Sequence, residues 1–378
     1  MQVTQIYEFV NTAAQAVAGE IVLPKEDLSN LVDVGRSIQN ALGVDSFYKA
    51  IVNRIGKMYF VDRKYQGQLV KIFKDSWQFG SIVAKMQVDD MEVTENDTWE
   101  IVNGASYDPF VVNLPVVSSK FFNKMVTFEL DITTPTKQIE QSFTSVDEMN
   151  RFLSMIQTMV YNSMETKIEA VLFRCLDNMI GATIHANGAS VVHMLTEYNT
   201  ITGQTLTAQT AMLDGDFLRW ATKTMAIYKT RLKSRTVIYN QGGKRRFTPP
   251  DLLHFVVLND FAKSAESEVY SSAFHNEFVK LENYEEVAYW QAPGTGFAFG
   301  DISRINVTAI LDDGTTADVE QANIVAVMFD DDALGVLQPR RRVTTQYNPK
   351  NESYNDFHKW ESRYFCDFNE QMAVFVLD

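Results

Sequence analysis

The sequence predicts an α+β protein in which one long helix leans on a half-buried antiparallel sheet. Between Ser145 and Ile180 there is no Pro and no Gly, and apolar residues recur at Met149, Phe152, Leu153, Ile156, Met159, Val160, Met164, Ile168, Val171, Leu172, Cys175 and Met179. That three-and-four rhythm is one buried helical stripe, and Ser145 with Glu148 reads as a capping box at its start. At this length the helix is about 54 Å long, whereas a compact chain of 378 residues has a radius of gyration of about 21 Å. The second observation is Lys124–Ile132, where Val126, Phe128, Leu130 and Ile132 share one face and Thr127, Glu129 and Asp131 the other. Such alternation marks a strand with one dry and one wet side. The third is an alternation of strand and helix signals from 208 to 310, the pattern of a compact α/β unit.

The remaining elements follow in order. Residues 1–50 read as an N-terminal arm without a core of its own. Residues 57–102 read as a polar, two-stranded ribbon. From Arg54 to Lys74 it carries six basic residues and one acidic; from Asp89 to Glu100 it carries six acidic and none basic. A ribbon of that size is marginal alone, so it belongs against something else: a second subunit, or the rest of its own sheet. "VVNLPVV" (Val111–Val117) is expected to be a strand beside Lys124–Ile132. The long helix is expected to end near Ile180, before the Gly-punctuated "GATIHANGASVV". Next come a helix over 208–233, a strand at His254–Asn259, and a helix capped at Asn259 or Asp260 that runs to about Lys280. Strands follow at "VAYWQA" and "RINVTAI", with a turn signal at Asp312. "NIVAVMF" (Asn323–Phe329) is the most strongly β stretch. "QMAVFVLD" is a closing strand, expected in the sheet beside the long helix.

Composition excludes several classes. Apolar content of 46% supports a real core. No apolar run is long enough for a transmembrane span, the first ten residues do not read as a signal peptide, and no membrane partner is expected. A net charge of −14 argues against a surface devoted to nucleic acid. The basic clusters Lys244–Arg246 and Arg340–Arg342 are small; each suits phosphate contact less well than a solvated face or a neighbour's carboxylates. Asp330–Asp332 suits an intermolecular partner and a plain turn equally. The two cysteines, Cys175 and Cys366, lie far apart in sequence; no disulfide framework is indicated, and the cytosol is the simplest compartment.

The search for chemistry finds little. The five histidines, His185, His193, His254, His275 and His358, include no i, i+4 pair, and two separated cysteines build no sequence-local zinc site. "GTGFAFG" at Gly294–Gly300 lacks the Lys-Ser/Thr of a phosphate loop. No G-x-S-x-G elbow is present. The expectation is a non-catalytic protein with no catalytic residue, no cofactor and no metal.

Four stretches together carry a resemblance. "IVNRIGKMYFVDRKYQGQLVKIFKDSWQFGSIVAKMQVD", "VVNLPVVSSKFFNKMVTFELDI", "FTSVDEMNRFLSMIQTMVYNSMETKIEAVLFRCLDNMI", and "NIVAVMFDDDALGV" with "YNDFHKWESRYFCDFNEQMAVFVL" follow one another in an order and spacing similar to the major capsid proteins of tailed bacteriophages. The resemblance to this HK97-like fold runs from about Leu42 onward. It is nearest to the major capsid proteins of small short-tailed phages of Gram-positive bacteria.

The resemblance implies an arm (1–50), an extended β-ribbon loop (51–105), and a peripheral domain (106–204) with spine helix 145–180. It further implies an axial domain (205–322) and return strands that complete the peripheral domain (323–378). It implies a structural subunit that assembles with itself as pentamers and hexamers into an icosahedral or prolate shell around packaged double-stranded DNA. A separate scaffolding protein and a portal are expected as partners, with assembly in the host cytoplasm and a final place in the virion. Candidate inter-subunit contacts are Arg63, Lys64, Lys71, Lys74, Asp89, Asp90, Glu92, Arg340, Arg341 and Arg342. Reversing Lys71 and Lys74 is expected to spare the subunit and weaken the shell. Lys64, Lys71, Lys74 and Lys85 could stand on the extended loop, but no local motif supplies a partner for a covalent crosslink, and none is expected. The alternatives are an encapsulin-like nanocompartment shell, distinguished by its cargo, and a soluble α/β enzyme, which leaves the ribbon unexplained.

Overall fold

The computed structural model describes residues 63–69, 72–74, 83–89, 91, 93–96, 99–100, 102–135, 146–272, 283–292, 296–337 and 340–378. The expected arm at 1–50 therefore lies outside the described residues, as do Lys71, Asp90 and Glu92. The chain divides into two units. One comprises Met1–Gln66, Glu129–Met164 and Arg342–Lys359; the other comprises Gly67–Phe128, Glu165–Arg341 and Trp360–Asp378.

The larger unit is built on a five-stranded sheet. Its strands are β5 (Val191–His193), β6 (Leu253–Leu258), β7 (Glu285–Val287), β10 (Ile324–Asp330) and β14 (Met372–Val376), in the order β5-β14-β10-β6-β7. Both faces are covered, so the strands are nearly continuous apolar runs. On one face Val256, Leu258, Val327, Phe329, Met372, Val374 and Val376 meet helix α1 (Val146–Ala186) through Leu172, Leu176, Met179 and Ile180. On the other, Phe255, Val257, Met328, Ala373 and Phe375 meet α4 (Gly215–Arg231) through Phe217, Leu218, Ala221 and Met225, and α5 (Asn259–Ser272) through Phe261, Ala262 and Ala265. The closing strand thus lies in the sheet beside the long helix, as its composition suggests. A register shift between Ile324 and Ala326 puts Val325 and Ala326 together on the α4–α5 side, while Ile324 packs on the α1 side.

Two smaller sheets complete this unit. The hairpin β8 (Ile305–Ile310) and β9 (Thr316–Gln321) closes through the turn signalled by "DDGT". The hairpin β2 (Val83–Val88) and β3 (Val117–Phe122) pairs antiparallel, with Lys85 opposite Lys120. A short β1 (Phe73–Lys74) runs parallel to β11 (Leu334–Leu337), which pairs in turn with the end of β13 (Ser353–Cys366).

The smaller unit holds the outer parts of β4 (Met125–Pro135) and β13, and most of β12 (Arg340–Asn348). In it Thr133 donates to Asn355 at 2.8 Å, Glu129 pairs with Lys359 at 3.1 Å, and the Tyr347 and Tyr354 rings sit 5.0 Å apart. Neither core cluster contains a described residue of this unit.

Several elements depart from expectation. "VAYWQA" is strand only at Val287, the last residue of β7. The ribbon expected over 57–102 is not one hairpin among the described residues: β2 pairs with β3, beyond it in sequence, and β1 with β11. Helix α1 does not stop at Ile180; it continues through Gly181 to Ala186. Gly181 is there because a Cβ would stand 3.0 Å from Val307 and 3.1 Å from Ala309 of β8, so the glycine serves close packing rather than chain reversal. "VVNLPVV" is irregular up to Val116; Pro115 lacks an N–H, and the strand begins only at Val117. Helix α2 (Met194–Thr202) follows β5, and the helix expected over 208–233 is two pieces, α3 (Ala208–Ala211) and α4. Asp214 caps α4 by accepting from the Phe217 N–H at 2.7 Å. Helix α5 is described to Ser272, and its expected extension to Lys280 lies outside the described residues.

Candidate assembly surface

The β2–β3 hairpin is inverted relative to an ordinary surface hairpin. Its polar face points at its own unit. Lys85 reaches Asp367 at 2.9 Å and Glu370 at 2.7 Å, and Lys120 reaches Asp367 at 3.2 Å and Asp312 at 2.5 Å. Gln87 donates to Glu370 at 3.1 Å and accepts from Arg246. At the hairpin's end Asp89 pairs with Lys244 at 2.7 Å and accepts from Ser118 at 3.1 Å. Asp367 and Glu370 sit in the tight turn between β13 and β14, so the carboxylates that seat the hairpin are fixed by the central sheet.

The electrostatics of this seat are coherent. Burial alone would raise the Asp367 pKa, but Lys85 and Lys120 outweigh it and hold the carboxyl below its usual range. Burial opposes the Lys85 charge as well, yet Asp367 and Glu370 overcome it and raise the ammonium pKa. The Lys244 bond and the Ser118 hydroxyl, working against desolvation, lower Asp89.

The opposite face of the hairpin is apolar and bare. Met86, Val88, Val117 and Phe121 are each more than half exposed. Every described residue from 91 to 116 is exposed as well, including Trp99 at 85% and Phe110 at 84%. Val93, Val111, Val112, Leu114 and Val116 continue the apolar surface. Apolar exposure on this scale is characteristic of surfaces that bind other molecules.

The sequence-derived contact residues are distributed differently. Lys74 is bonded within the chain to Asp331, which also takes His254 at 2.7 Å. Asp89 is engaged as described. Arg63 and Lys64 are exposed, and Asn162 holds that segment by donating to the Arg63 carbonyl at 2.8 Å and accepting from the Tyr65 N–H at 2.8 Å. Arg341 and Arg342 lie exposed on β12; Arg340 begins that strand, and its side chain lies outside the described residues. Of the cluster considered for phosphate contact, Lys244 holds the hairpin end through Asp89, and Arg246 holds Gln87 of the hairpin as well as Glu370. Sequence reasoning missed the seat itself, because Lys85 and Asp367 are 282 positions apart and no local pattern joins them. Among the described residues, no group of three or more His, Cys, Asp or Glu is placed to hold a metal ion. No helix is long and apolar enough to cross a membrane, again among the described residues.

Comparisons with known proteins bear on this arrangement. The chain is similar in fold to a chain of the capsid of Staphylococcus phage Andhra, with 9% identity, a TM-score of 0.59, and coverage of 86% of this chain and 87% of that one. It is similar also to a chain in the structure described as the head fiber and inner core protein gp22 of native bacteriophage P68. There the identity is 8% and the TM-score 0.54, with 86% and 88% covered. No curated protein matches. The family model described as "Phi29-like phage major capsid protein" matches residues 8–376, nearly the whole chain. The fold is thus HK97-like, and the chain belongs to the phi29-like phage major capsid proteins, the structural shell subunits of tailed bacteriophages.

Proposed function

We propose that the apolar outer face of β2–β3, with the loop beyond it, covers a neighbouring copy of this chain in the shell. The inversion of the hairpin supports this reading: its charged face is satisfied by its own unit, so the face left for a partner is hydrophobic. In this reading the segment 51–105 and its return through β3 form the extended loop, and 1–50 forms an arm along an adjacent subunit. Spine helix and sheet in 106–204, with the return strands of 323–378, make the peripheral domain, and 205–322 makes the axial domain. The subunits meet as pentamers and hexamers of an icosahedral or prolate shell assembled in the host cytoplasm. Packaged double-stranded DNA lies inside, and a separate scaffolding protein and a portal take part. Arg63, Lys64, Lys71, Asp90, Glu92 and Arg340–Arg342 supply polar rim contacts, whereas Lys74 and Asp89 are committed within the chain.

The test is negative-stain microscopy of the full-length chain, alone and with a candidate scaffolding protein. Closed shells built of rings of five and six copies are expected. A monodisperse monomer under both conditions would overturn the reading, and shells that enclose a protein cargo rather than DNA would redirect it.

A further inference from the structure

Cys175 and Cys366 are the chain's two cysteines, and the fold brings their Sγ atoms to 3.2 Å across a sequence gap of 191 residues. Cys175 lies on the buried stripe of α1, and Cys366 is the last residue of β13. Each sulfur also approaches a carbonyl: Cys175 donates to Phe365 at 3.3 Å, and Cys366 to Cys175 at 3.5 Å. A disulfide bond is about 2.05 Å long, so closing the pair needs a shift of about 1 Å.

The two thiols are not equivalent. Cys175 is fully buried, whereas Cys366 is partly exposed and lines a cavity of about 470 Å³. Lys120, Lys124, Arg174 and Tyr364 line the same cavity. Lys120 is engaged by Asp312 and Asp367, while Lys124 and Arg174 have no carboxylate partner among the described residues. With Asp312 also in the lining, the three cations leave the cavity net positive, which favours an anion. The bond from Cys175 and the charge of Lys124 outweigh burial and lower the Cys366 thiol, while the bond to Cys366 and burial raise Cys175.

We propose that Cys175 and Cys366 form an oxidative modification site, a dithiol that an anionic small-molecule disulfide such as oxidised glutathione converts to an intrachain disulfide. The Cys366 thiolate attacks one sulfur of the oxidant. The oxidant's S–S bond breaks, and one glutathione leaves as a thiolate. The Cys175 sulfur then attacks Cys366 in the mixed disulfide. The second glutathione leaves and takes the Cys175 proton. Two protein thiols are oxidised, and one glutathione disulfide is reduced to two thiols. Inside a reducing cell the pair stays open; a virion released into an oxidising medium closes it, tying α1 to the end of β13.

The test uses the full-length chain purified under reductant and then exchanged into oxidised glutathione. Thiol titration, intact mass and peptide mapping are followed on wild type, Cys175→Ala and Cys366→Ala. In wild type, loss of both thiols, no retained glutathione and one peptide linking Cys175 to Cys366 are expected, with an upward shift of the thermal midpoint that dithiothreitol reverses. Cys175→Ala should retain glutathione on Cys366, and Cys366→Ala should not react. Thiols that persist in the folded wild type but react once it is denatured would overturn the proposal. So would a stable mixed disulfide on wild type, or a linked peptide that joins two chains. The wild-type titration and map decide the matter even if a variant fails to fold.

Discussion

Lys85 and Lys120 stand directly opposite each other across the β2–β3 ladder, and both reach one carboxylate, Asp367, at 2.9 and 3.2 Å. Like charges directly opposite destabilise a strand pair, so this register depends on the buried anion between them. Asp367→Asn leaves two partly buried ammonium groups facing each other. Breaking a buried pair costs about 3–5 kcal/mol; the partial exposure of the lysines brings the expected loss to about 2–4 kcal/mol. Urea denaturation of unassembled subunit measures it. Adding Lys85→Met and Lys120→Met to Asp367→Leu should recover only part of the loss, because Glu370 and Asp312 then lose their lysine partners.

The same carboxylate sets a pH dependence. The Asp367 pKa is lower in the folded chain, so its contribution is complete above the unfolded value of about 4. It disappears as pH falls through the folded pKa below that. The Lys85 pKa is raised, so its contribution is complete below about 10.4 and lost only above it. The thermal midpoint gap between wild type and Asp367→Asn should therefore be flat from about pH 5 to 9 and close at the acid end. A gap that closes near neutrality would show that another group controls the seat.

Phe121 and Val88 lie on the bare face of the hairpin. Replacing both with Ser should change the stability of the isolated subunit by about 0.5 kcal/mol or less per site. The shell fraction in sedimentation should fall severalfold, because the defect recurs at every interface. Unchanged assembly would mean that this face meets solvent in the shell.

Lys74 behaves differently from what its place in a basic strand suggests. It is bonded to Asp331 and anchors β1 beside β11. Lys74→Glu sets a carboxylate against Asp331 and should lower subunit stability by about 1–2 kcal/mol, more than a free surface residue would. Asp331→Asn in the same chain should restore part of it. A thermal midpoint equal to wild type for Lys74→Glu alone would show that the pair contributes nothing.

Ile168 is 3% exposed on α1. Ile168→Asp places an unpaired carboxylate in an apolar setting at a cost of several kcal/mol, on the order of the subunit's whole stability. Insoluble chain is expected on expression at 37 °C, and soluble, assembling chain would show that the stripe tolerates water.

What was legible in the sequence is what short-range periodicity encodes. The helix α1, the alternation in β4 and the apolar runs of β6, β10 and β14 all lie where their patterns place them. The stripe of α1 is only partly as read: Met159 is exposed, and from Ile168 onward the helix is buried on most sides, Glu169 and Asp177 included, because sheets and loops from far along the chain surround it. What was illegible depends on partners far along the chain. The ribbon's two charged halves look complementary, yet β2 pairs with Val117–Phe122, and its Lys85 is held by a turn beyond β13. Gly181 reads as a stop signal until β8 is laid against it. The two cysteines read as isolated until α1 and β13 are folded together. The bare apolar face was missed for another reason: apolar residues in sequence imply burial, and nothing local says that these stay exposed on their own chain.

The place of β14 between β5 and β10 has a bearing on synthesis. Val374 and its neighbours must slot between a strand made some 180 residues earlier and one made some 45 residues earlier. A polypeptide released before residue 372 lacks the strand that joins β5 to β10 and leaves two strand edges open. Completion of the core therefore waits for these last few residues, and the full chain must leave the ribosome before the subunit can close its central sheet.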